Sequence, residues 1–216
     1  MAQHFPKWTN RLPLFGSIAI VLALVGIVGF FWYFGSPEYT DVGYRPAQPV
    51  PYSHKLHAGD MGMDCRYCHT TVETSAHANI PPTQTCMNCH TMIKTDSEKL
   101  QPVRDSWTNK TPIPWVKVYK APDYVYFDHS AHINVGVGCE SCHGNVAQME
   151  VVEQAESHSM GWCLECHRDP ANHLRPLDEV TTMEWAAPAD QATFAARVIQ
   201  EKNIKPPVEN CSGCHR

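Results

Sequence analysis

Five short stretches decide the fold of this chain: Cys65-Arg-Tyr-Cys68-His69, Cys86-Met-Asn-Cys89-His90, Cys139-Glu-Ser-Cys142-His143, Cys163-Leu-Glu-Cys166-His167 and Cys211-Ser-Gly-Cys214-His215. They use all ten cysteines of the 216-residue sequence. In each stretch the cysteines are three positions apart, so both can form thioethers to one haem, and the following His can bind its iron as the proximal ligand. Five matches with no cysteine left over predict five haem c groups.

Disulfides and zinc sites are the two structural alternatives for so many cysteines. Ten cysteines could form five disulfides, but residues three apart in one tight turn rarely satisfy disulfide geometry. A zinc ribbon needs two Cys-x-x-Cys pairs for each metal, so five pairs leave one pair unused. Neither alternative explains a His after every pair, and haem attachment is therefore favoured.

Size and composition predict one membrane anchor and one domain of about 180 residues. The chain has 17 prolines and is 43% hydrophobic, which favours coil with short α-helices around the haems. The porphyrins would then form much of the core. The net charge of −5, with no basic run, argues against binding to nucleic acid.

The segment 12–34 is predicted to be a transmembrane anchor. It has 23 uncharged residues, which as a helix would be about 34 Å long and would cross a ~30 Å hydrocarbon core. Lys7 and Arg11 precede it, and Glu38 and Asp41 follow it. The positive-inside tendency therefore puts residues 1–11 in the cytoplasm and the haem domain outside. A cleaved signal peptide is less favoured, because the run is long and lacks a small-residue cleavage site.

The haem domain contains a duplication. His54-x-x-His57 precedes the first motif and His129-x-x-His132 precedes the third, 75 residues further on, and an aromatic residue leads each pair. The repeat predicts a spacer at 35–50 and a pentahaem domain at 51–216. Within that domain we expect two-haem modules at 51–92 and 126–175, and a fifth haem at 205–216.

The duplicated histidine pairs are candidates for the distal iron ligands. Two imidazoles at positions i and i+3 leave a helix on nearly the same face. They cannot bind one iron from opposite sides, but they can reach two adjacent haems. The sequence therefore predicts distal ligation of four irons by His54, His57, His129 and His132.

The distal ligand of the fifth iron stays open. His173 follows the fourth motif, whereas Met160 and Met149 precede it, and His77 and His158 are further options. A methionine thioether would give a higher reduction potential than an imidazole. If none of these residues binds, that iron would have an open coordination site.

Three segments are expected to form the scaffold. A short helix is predicted at 96–106, interrupted near Pro102, followed by an extended, proline-limited bridge at 111–122. Asp190 is the predicted N-cap of a helix that runs to about Lys202. Phe194, Val198 and Ile199 on that helix are expected to face the haems.

Three stretches resemble a known family: IPPTQTCMNCH, PIPWVKVY leading into VYFDHSAHINVGVGCESCHG, and MGWCLECHR. They are similar to the pentahaem, membrane-anchored cytochrome c subunit of bacterial alternative complex III. The likeness covers roughly residues 12–215, and its specificity rests on the bridge and the MGWC stretch. His173 and Met160 fall inside the family-like stretches.

The resemblance implies a multihaem fold of the c3/c7 type and an electron-transfer subunit with no catalytic site of its own. It also implies partners: an iron–sulfur subunit, polytopic quinol-binding membrane subunits and a monohaem cytochrome c. Electrons from quinol would pass to a cytochrome c or a terminal oxidase. The expected location is the bacterial inner membrane, with the haem domain on the periplasmic side.

Two other functions compete with this one. A stand-alone membrane quinol dehydrogenase that feeds periplasmic reductases would share the anchor and the haems, but it would need its own quinol site. A multihaem nitrite reductase would resemble the chain in haem number. Those enzymes use a Lys ligand at the catalytic haem, whereas all five motifs here end in His.

Overall fold

The computed structural model describes residues 4–205 and 207–215. Residues 1–3 of the predicted cytoplasmic segment, and residues 206 and 216 of the predicted fifth-haem segment, lie outside that range. The chain divides into two compact units, Met1–Asp41 and Val42–Arg216. Their boundary falls within the predicted spacer.

The first unit is almost entirely helical. A 3₁₀ turn at Lys7–Arg11 leads into α1 (Leu12–Phe34), and a single turn, α2 (Pro37–Thr40), follows. Helix α1 has the bounds of the predicted apolar run and buries none of its side chains. Among the described residues, it belongs to the one helix that is long and apolar enough to cross a membrane.

The second unit consists of short helices joined by coil. The helices are α3 (Cys65–Cys68), α4 (Thr83–His90), α5 (Gln101–Asn109), α6 (His129–Ile133), α7 (Glu140–His143), α8 (Met160–Arg168), α9 (Gln191–Glu201) and α10 (Cys211–Cys214). A π-helical turn covers Lys55–Asp60, and 3₁₀ turns lie at Glu98–Leu100, Val146–Gln148, Pro170–His173 and Leu177–Glu179. The described residues form no strand, only isolated bridges. The expected mixture of coil and short helices is confirmed.

Each cysteine motif is built on a helical turn, which puts its two thiols on one side of the backbone. Short polar side chains start several of these helices. The Asp64 carboxylate accepts a hydrogen bond from the Arg66 amide before α3, and the Ser159 hydroxyl accepts one from the Trp162 amide before α8. Such N-caps satisfy amides that a one- or two-turn helix cannot pair internally.

Two details of the scaffold differ from the sequence-based expectation. Pro102 does not interrupt a helix but lies in the first turn of α5, where its missing N–H has no cost. Asp190 occupies the N-cap position of α9, but its side chain caps no amide. The neighbouring Gln191 is buried instead, and its amide donates to the carbonyls of Ala171 and Leu174.

The apolar core of the second unit is small. Its central cluster is Val137, Leu174 and Ala195, against which Ile199 of α9 packs. That Phe194, Val198 and Ile199 face the haems stays a prediction. The largest fully buried side chains are two valines, Val103 and Val180. Aliphatic packing among the described residues is therefore modest, and the expectation that porphyrins form much of the core stays a prediction.

A close backbone approach fixes the third motif against the segment after the fourth. The Arg175 amide donates to the Gly136 carbonyl over 2.8 Å, beside the Val137–Leu174 bridge. Arg175 is only 7% exposed. Its guanidinium lies 5.0 Å from the centre of the Trp185 ring and 3.8 Å from the Glu140 carboxylate. A buried cation is tolerated here because an aromatic face and a carboxylate replace water.

Gly136 gives a direct test of this approach. Its φ is +99°, and a Cβ atom would lie 2.5 Å from the Arg175 carbonyl oxygen. Gly62 also has a positive φ, +65°, but open space surrounds it. Gly62→Ala should cost about 1–2 kcal/mol of conformational strain, and Gly136→Ala should cost clearly more because the backbone must also move.

The measurement is the thermal unfolding midpoint of the haem-loaded, full-length chain in detergent. Gly136→Ala should lower the midpoint at least twice as far as Gly62→Ala. Equal midpoints for the two variants would contradict the close approach.

Candidate haem-binding site

The five motifs lie near one another in a definite order. The nearby Cys139 thiol of the third motif lowers the pKa of the Cys65 thiol of the first. Burial raises the pKa of Cys68, and Cys86 of the second motif raises it further. The first motif therefore lies between the second and the third.

The same thiol contacts extend the order to the C-terminal motif. Burial raises the pKa of Cys142 to about 12, with Cys166 and Cys163 of the fourth motif adding to the effect. Burial also raises the pKa of Cys163, and Cys214 of the fifth motif adds to it. The spatial order of the motifs is thus second, first, third, fourth, fifth.

The histidine pair of the first module packs against the second module. The Lys55 amide, next to His54, donates to the Met149 carbonyl over 3.0 Å. Gly59, at the end of the same turn, lies so close to the Ala147 carbonyl that a side chain would not fit. The segment 54–60 therefore lies directly on the loop that follows the third motif.

The second histidine pair makes the reciprocal contact. The Ser130 amide donates to the Ser75 carbonyl over 3.2 Å, and the His129 amide donates to the Ala76 carbonyl over 3.3 Å. The segment that begins at His129 therefore lies on the loop that follows the first motif. The two modules therefore make reciprocal contacts, each through its own histidine segment.

Within each module, imidazoles lie together in pairs. The ring centres of His57 and His90 are 6.3 Å apart. Those of His129 and His143 are also 6.3 Å apart, and those of His132 and His167 are 6.1 Å apart. Each pair joins a predicted distal ligand to a predicted proximal ligand.

The ring separations fit a metal held from both sides. Two metal–imidazole bonds of roughly 2.0 Å each, with half a ring at either end, place the ring centres about 6 Å apart. For the first motif, the neighbouring His69 and His57 add to the burial that lowers the pKa of His54 to about 4. His54 is thus the distal candidate that lies close to His69.

Hydrogen bonds from Nδ1 to backbone carbonyls leave the Nε2 atoms of several candidate ligands free. The Nδ1 atoms of the proximal candidates His69, His90 and His167 lie 2.7, 3.0 and 2.7 Å from carbonyl oxygens. Among the distal candidates, Nδ1 of His57 lies 2.8 Å from the Ser53 carbonyl and Nδ1 of His132 lies 2.7 Å from the Asp128 carbonyl. A histidine that donates from Nδ1 presents Nε2, with its lone pair, to a metal.

Two ligand candidates lack this bond in the described part of the chain. Nδ1 of His54 is buried without a hydrogen-bond partner. His143 makes no ring hydrogen bond to the described residues, and its ring instead packs edge-on against Tyr119 with the centres 4.4 Å apart. Burial, together with nearby His158 and His129, lowers the pKa of His143 to about 3. Its imidazole is therefore neutral, as a metal ligand must be.

An aromatic ring holds each histidine pair in the same way. Tyr52 stacks on His57 with centres 4.5 Å apart and meets His54 edge-on at 4.8 Å. In the second module, Phe127 stacks on His132 at 4.6 Å and meets His129 edge-on at 4.8 Å. The aromatic residues that lead both sequence copies therefore orient the imidazoles.

His158 is a geometric rival for His129. Its ring centre is also 6.3 Å from that of His143. However, its Nε2 atom lies 3.0 Å from the Cys142 carbonyl, so this nitrogen is already engaged. Its ring is also stacked on Tyr119, with the centres 5.2 Å apart. These contacts favour His129 as the partner of His143.

The segment 124–126, directly after the bridge, contacts the fifth motif. Nδ1 of His215 lies 3.3 Å from the Tyr124 carbonyl, and the Tyr126 amide donates to the Cys214 carbonyl over 2.9 Å. No described imidazole lies opposite the His215 ring in the way that one lies opposite the proximal candidates of the second, third and fourth motifs. Sequence analysis missed this role of 124–126, because no local pattern marks a coil segment that pairs with a distant motif.

Met160 is a fifth-ligand candidate that lies at the start of the helix carrying the fourth motif. It begins α8, one helical turn before Cys163, the thiol whose pKa Cys214 of the fifth motif helps to raise. Met160 is 69% exposed.

The other candidates for the fifth distal ligand lie in other parts of the second unit. The methyl carbon of Met149 lies beside Gly144, next to the third motif. The His77 carbonyl accepts from the Thr71 hydroxyl in the loop after the first motif. His173 ends the 3₁₀ turn Pro170–His173, directly before Leu174 of the aliphatic cluster.

No family model matches the chain. A curated relative is similar to it: the "Menaquinone reductase, multiheme cytochrome c subunit" of Nitratidesulfovibrio vulgaris. The two are 29% identical over 174 residues, which is 70% of this chain and 80% of the relative. This similarity and the five motifs together support a multihaem c-type cytochrome. The relative does not distinguish the alternative complex III subunit from other quinone-linked cytochromes.

The two rival imidazoles of His143 can be separated by substitution. Replacing His129 with Ala should open one iron site, so that the reduced, full-length chain binds one equivalent of carbon monoxide above the wild-type level. His158→Asn should bind none, and Asn also tolerates the positive φ of 49° at this position. Carbon monoxide difference spectra measure both variants, and the reverse result would assign the site to His158.

Proposed function

We propose that the chain is the electron-transfer subunit of a quinone-linked respiratory membrane complex of the alternative complex III type. The observation that carries the proposal is the set of imidazole pairs at 6.1–6.3 Å beside the cysteine motifs. Five haem c groups would be attached through the ten cysteines. Each haem, when bound, supplies one-electron transfer between its oxidised and reduced iron.

The residues divide the ligand roles between the two sides of each haem. His69, His90, His143, His167 and His215 would be the proximal ligands. His54 would lie opposite His69, His57 opposite His90, His129 opposite His143, and His132 opposite His167. Two protein ligands on an iron leave no position for a substrate, which supports electron transfer without catalysis in this chain.

The order of the motifs supports a continuous electron path. The thiol contacts join neighbouring motifs in the order second, first, third, fourth, fifth. The second and fifth haems would therefore be the two ends at which electrons enter and leave. Cys65 and Cys139, the first cysteines of the two modules, would lie near the centre of this path.

For the fifth iron, we propose Met160 as the distal ligand, with His173 and Met149 as the remaining candidates. The support is its exposure and its place one turn before Cys163, beside the fifth motif. A methionine ligand would make the fifth haem the one of highest potential. Electrons would then favour that end of the path.

The membrane helix and the relative support membrane-complex partners. We propose that α1 anchors the chain in the bacterial inner membrane, with residues 1–11 cytoplasmic and the haem domain periplasmic. The partners would be an iron–sulfur subunit, polytopic quinol-binding subunits and a monohaem cytochrome c. A cytochrome c or a terminal oxidase would accept the electrons.

The relative favours a second candidate direction. It is named a menaquinone reductase subunit, so electrons in that protein's complex go to the quinone. The same haem path would serve either direction, because electron transfer through paired-imidazole haems is reversible. The difference lies in which end of the path meets the quinone-linked subunits.

The assay for the proposal compares the intact membrane complex with the separated, haem-loaded chain. We expect five haems per chain by pyridine haemochrome and intact mass, and four in Cys211→Ser/Cys214→Ser. Quinol-dependent reduction of cytochrome c should occur only in the complex. Quinol oxidation by the separated chain would support the stand-alone dehydrogenase, and quinone reduction alone by the complex would support the second direction.

The fifth ligand has its own test. Met160→Ala should abolish the long-wavelength charge-transfer band of a methionine–iron bond in the oxidised chain, and should make one haem bind carbon monoxide. His173→Ala should leave both unchanged. If His173→Ala, and not Met160→Ala, opens the haem, the fifth ligand is His173.

A further inference from the structure

The two modules differ in the group that donates a hydrogen bond to the carbonyl ten residues after a proximal histidine. Asn79 is the tenth residue after His69, and its carbonyl oxygen lies 2.7 Å from His69 Nδ1. Glu153 is the tenth residue after His143. Its carbonyl accepts a hydrogen bond of the same length, 2.7 Å, but the donor is the Tyr119 hydroxyl.

Tyr119 is placed for this bond by several contacts. Its ring meets the His143 ring edge-on, with centres 4.4 Å apart, and stacks on His158 on the other side. Its hydroxyl also lies 3.2 Å from the His143 carbonyl and accepts from the Ala155 amide over 3.4 Å. The phenol is therefore held between His143, the proximal ligand candidate, and the loop that carries the Glu153 carbonyl.

The Tyr119 hydroxyl is a hydrogen-bond donor, because a phenol keeps its proton at neutral pH. It donates to the Glu153 carbonyl over 2.7 Å, so this carbonyl is already paired. His143 makes no ring hydrogen bond to the described backbone, whereas Nδ1 of His69 lies 2.7 Å from the Asn79 carbonyl.

A proximal imidazole that donates from Nδ1 is a more basic ligand. A more basic ligand stabilises the oxidised iron relative to the reduced iron and lowers the reduction potential. An imidazole without that acceptor has the opposite effect. The ligand set proposed above, on which this argument rests, makes His143 the proximal ligand of the third haem.

We propose that Tyr119 is a positioning residue that raises the reduction potential of the third haem, because its hydroxyl occupies the Glu153 carbonyl in place of His143 Nδ1. The third haem stands in the middle of the motif order. Tyr119 therefore makes the third haem a better electron acceptor than it would be if His143 made the same hydrogen bond as His69. The reaction is a one-electron reduction by the neighbouring haem, and no bond is broken.

The test is a visible-spectrum redox titration of the full-length, haem-loaded chain, fitted to five one-electron components. His129→Met first identifies the component of the third haem, because a methionine ligand raises its potential. In Tyr119→Phe the ring remains, the Glu153 carbonyl becomes free, and His143 can donate to it.

We expect the third-haem component to fall in Tyr119→Phe, with the ratio of oxidised to reduced haem rising roughly tenfold at a fixed potential, or about 59 mV for one electron. The other four components should not move. Tyr52→Phe is the matched control, because it removes another partly buried phenol that packs on ligand imidazoles. It should leave the third-haem component in place.

The outcomes separate this inference from the proposed function. If His129→Met moves no component, the ligand assignment fails and the role of Tyr119 falls with it. If His129→Met moves one component and Tyr119→Phe leaves it unchanged or raises it, only the role of Tyr119 is overturned. A carbon monoxide-binding haem in Tyr119→Phe would show that the ring holds the ligand in place, and would also overturn the proposal.

Discussion

The structure depends on one recurring interaction, the hydrogen bond between a histidine Nδ1 atom and a backbone carbonyl. His57, His69, His132 and His167 make this bond over 2.7–2.8 Å. The bond fixes the tautomer and the ring plane, so Nε2 is the nitrogen that would bind a metal. Carbonyls that are free to accept such bonds occur in coil and at helix ends, which explains why a chain of this function is built from short helices and loops.

The histidine segment of each module packs on a loop of the other module, and this packing joins the two modules. Each pair of histidines lies on the loop after the other module's first motif, through bonds such as Lys55 to Met149 and Ser130 to Ser75. The imidazoles themselves pair with proximal candidates of their own module, as His57 does with His90 and His132 with His167. Because the two modules meet at these segments, the first and third haems would be neighbours, which agrees with the influence of Cys139 on Cys65.

Much of the site could be predicted from the sequence, because its chemistry depends on local spacing. The cysteine pairs, the proximal histidines and the H-x-x-H repeat all follow from residues three or four positions apart. The Nδ1 acceptors, the motif order and the role of Tyr119 could not be predicted, since each joins residues that are far apart in sequence. The sequence predicts an interruption near Pro102, whereas the structure places this proline in the first turn of α5, after the 3₁₀ turn Glu98–Leu100.

Electron paramagnetic resonance of the oxidised, full-length chain, together with carbon monoxide difference spectra of its reduced form, tests the account most directly. Paired protein ligands on every iron predict low-spin signals for all five haems and no carbon monoxide binding. At least four of the signals should be those of bis-imidazole haems. A high-spin, carbon monoxide-binding haem at any of the first four motifs would contradict the imidazole pairing and reopen the question of catalysis in this chain.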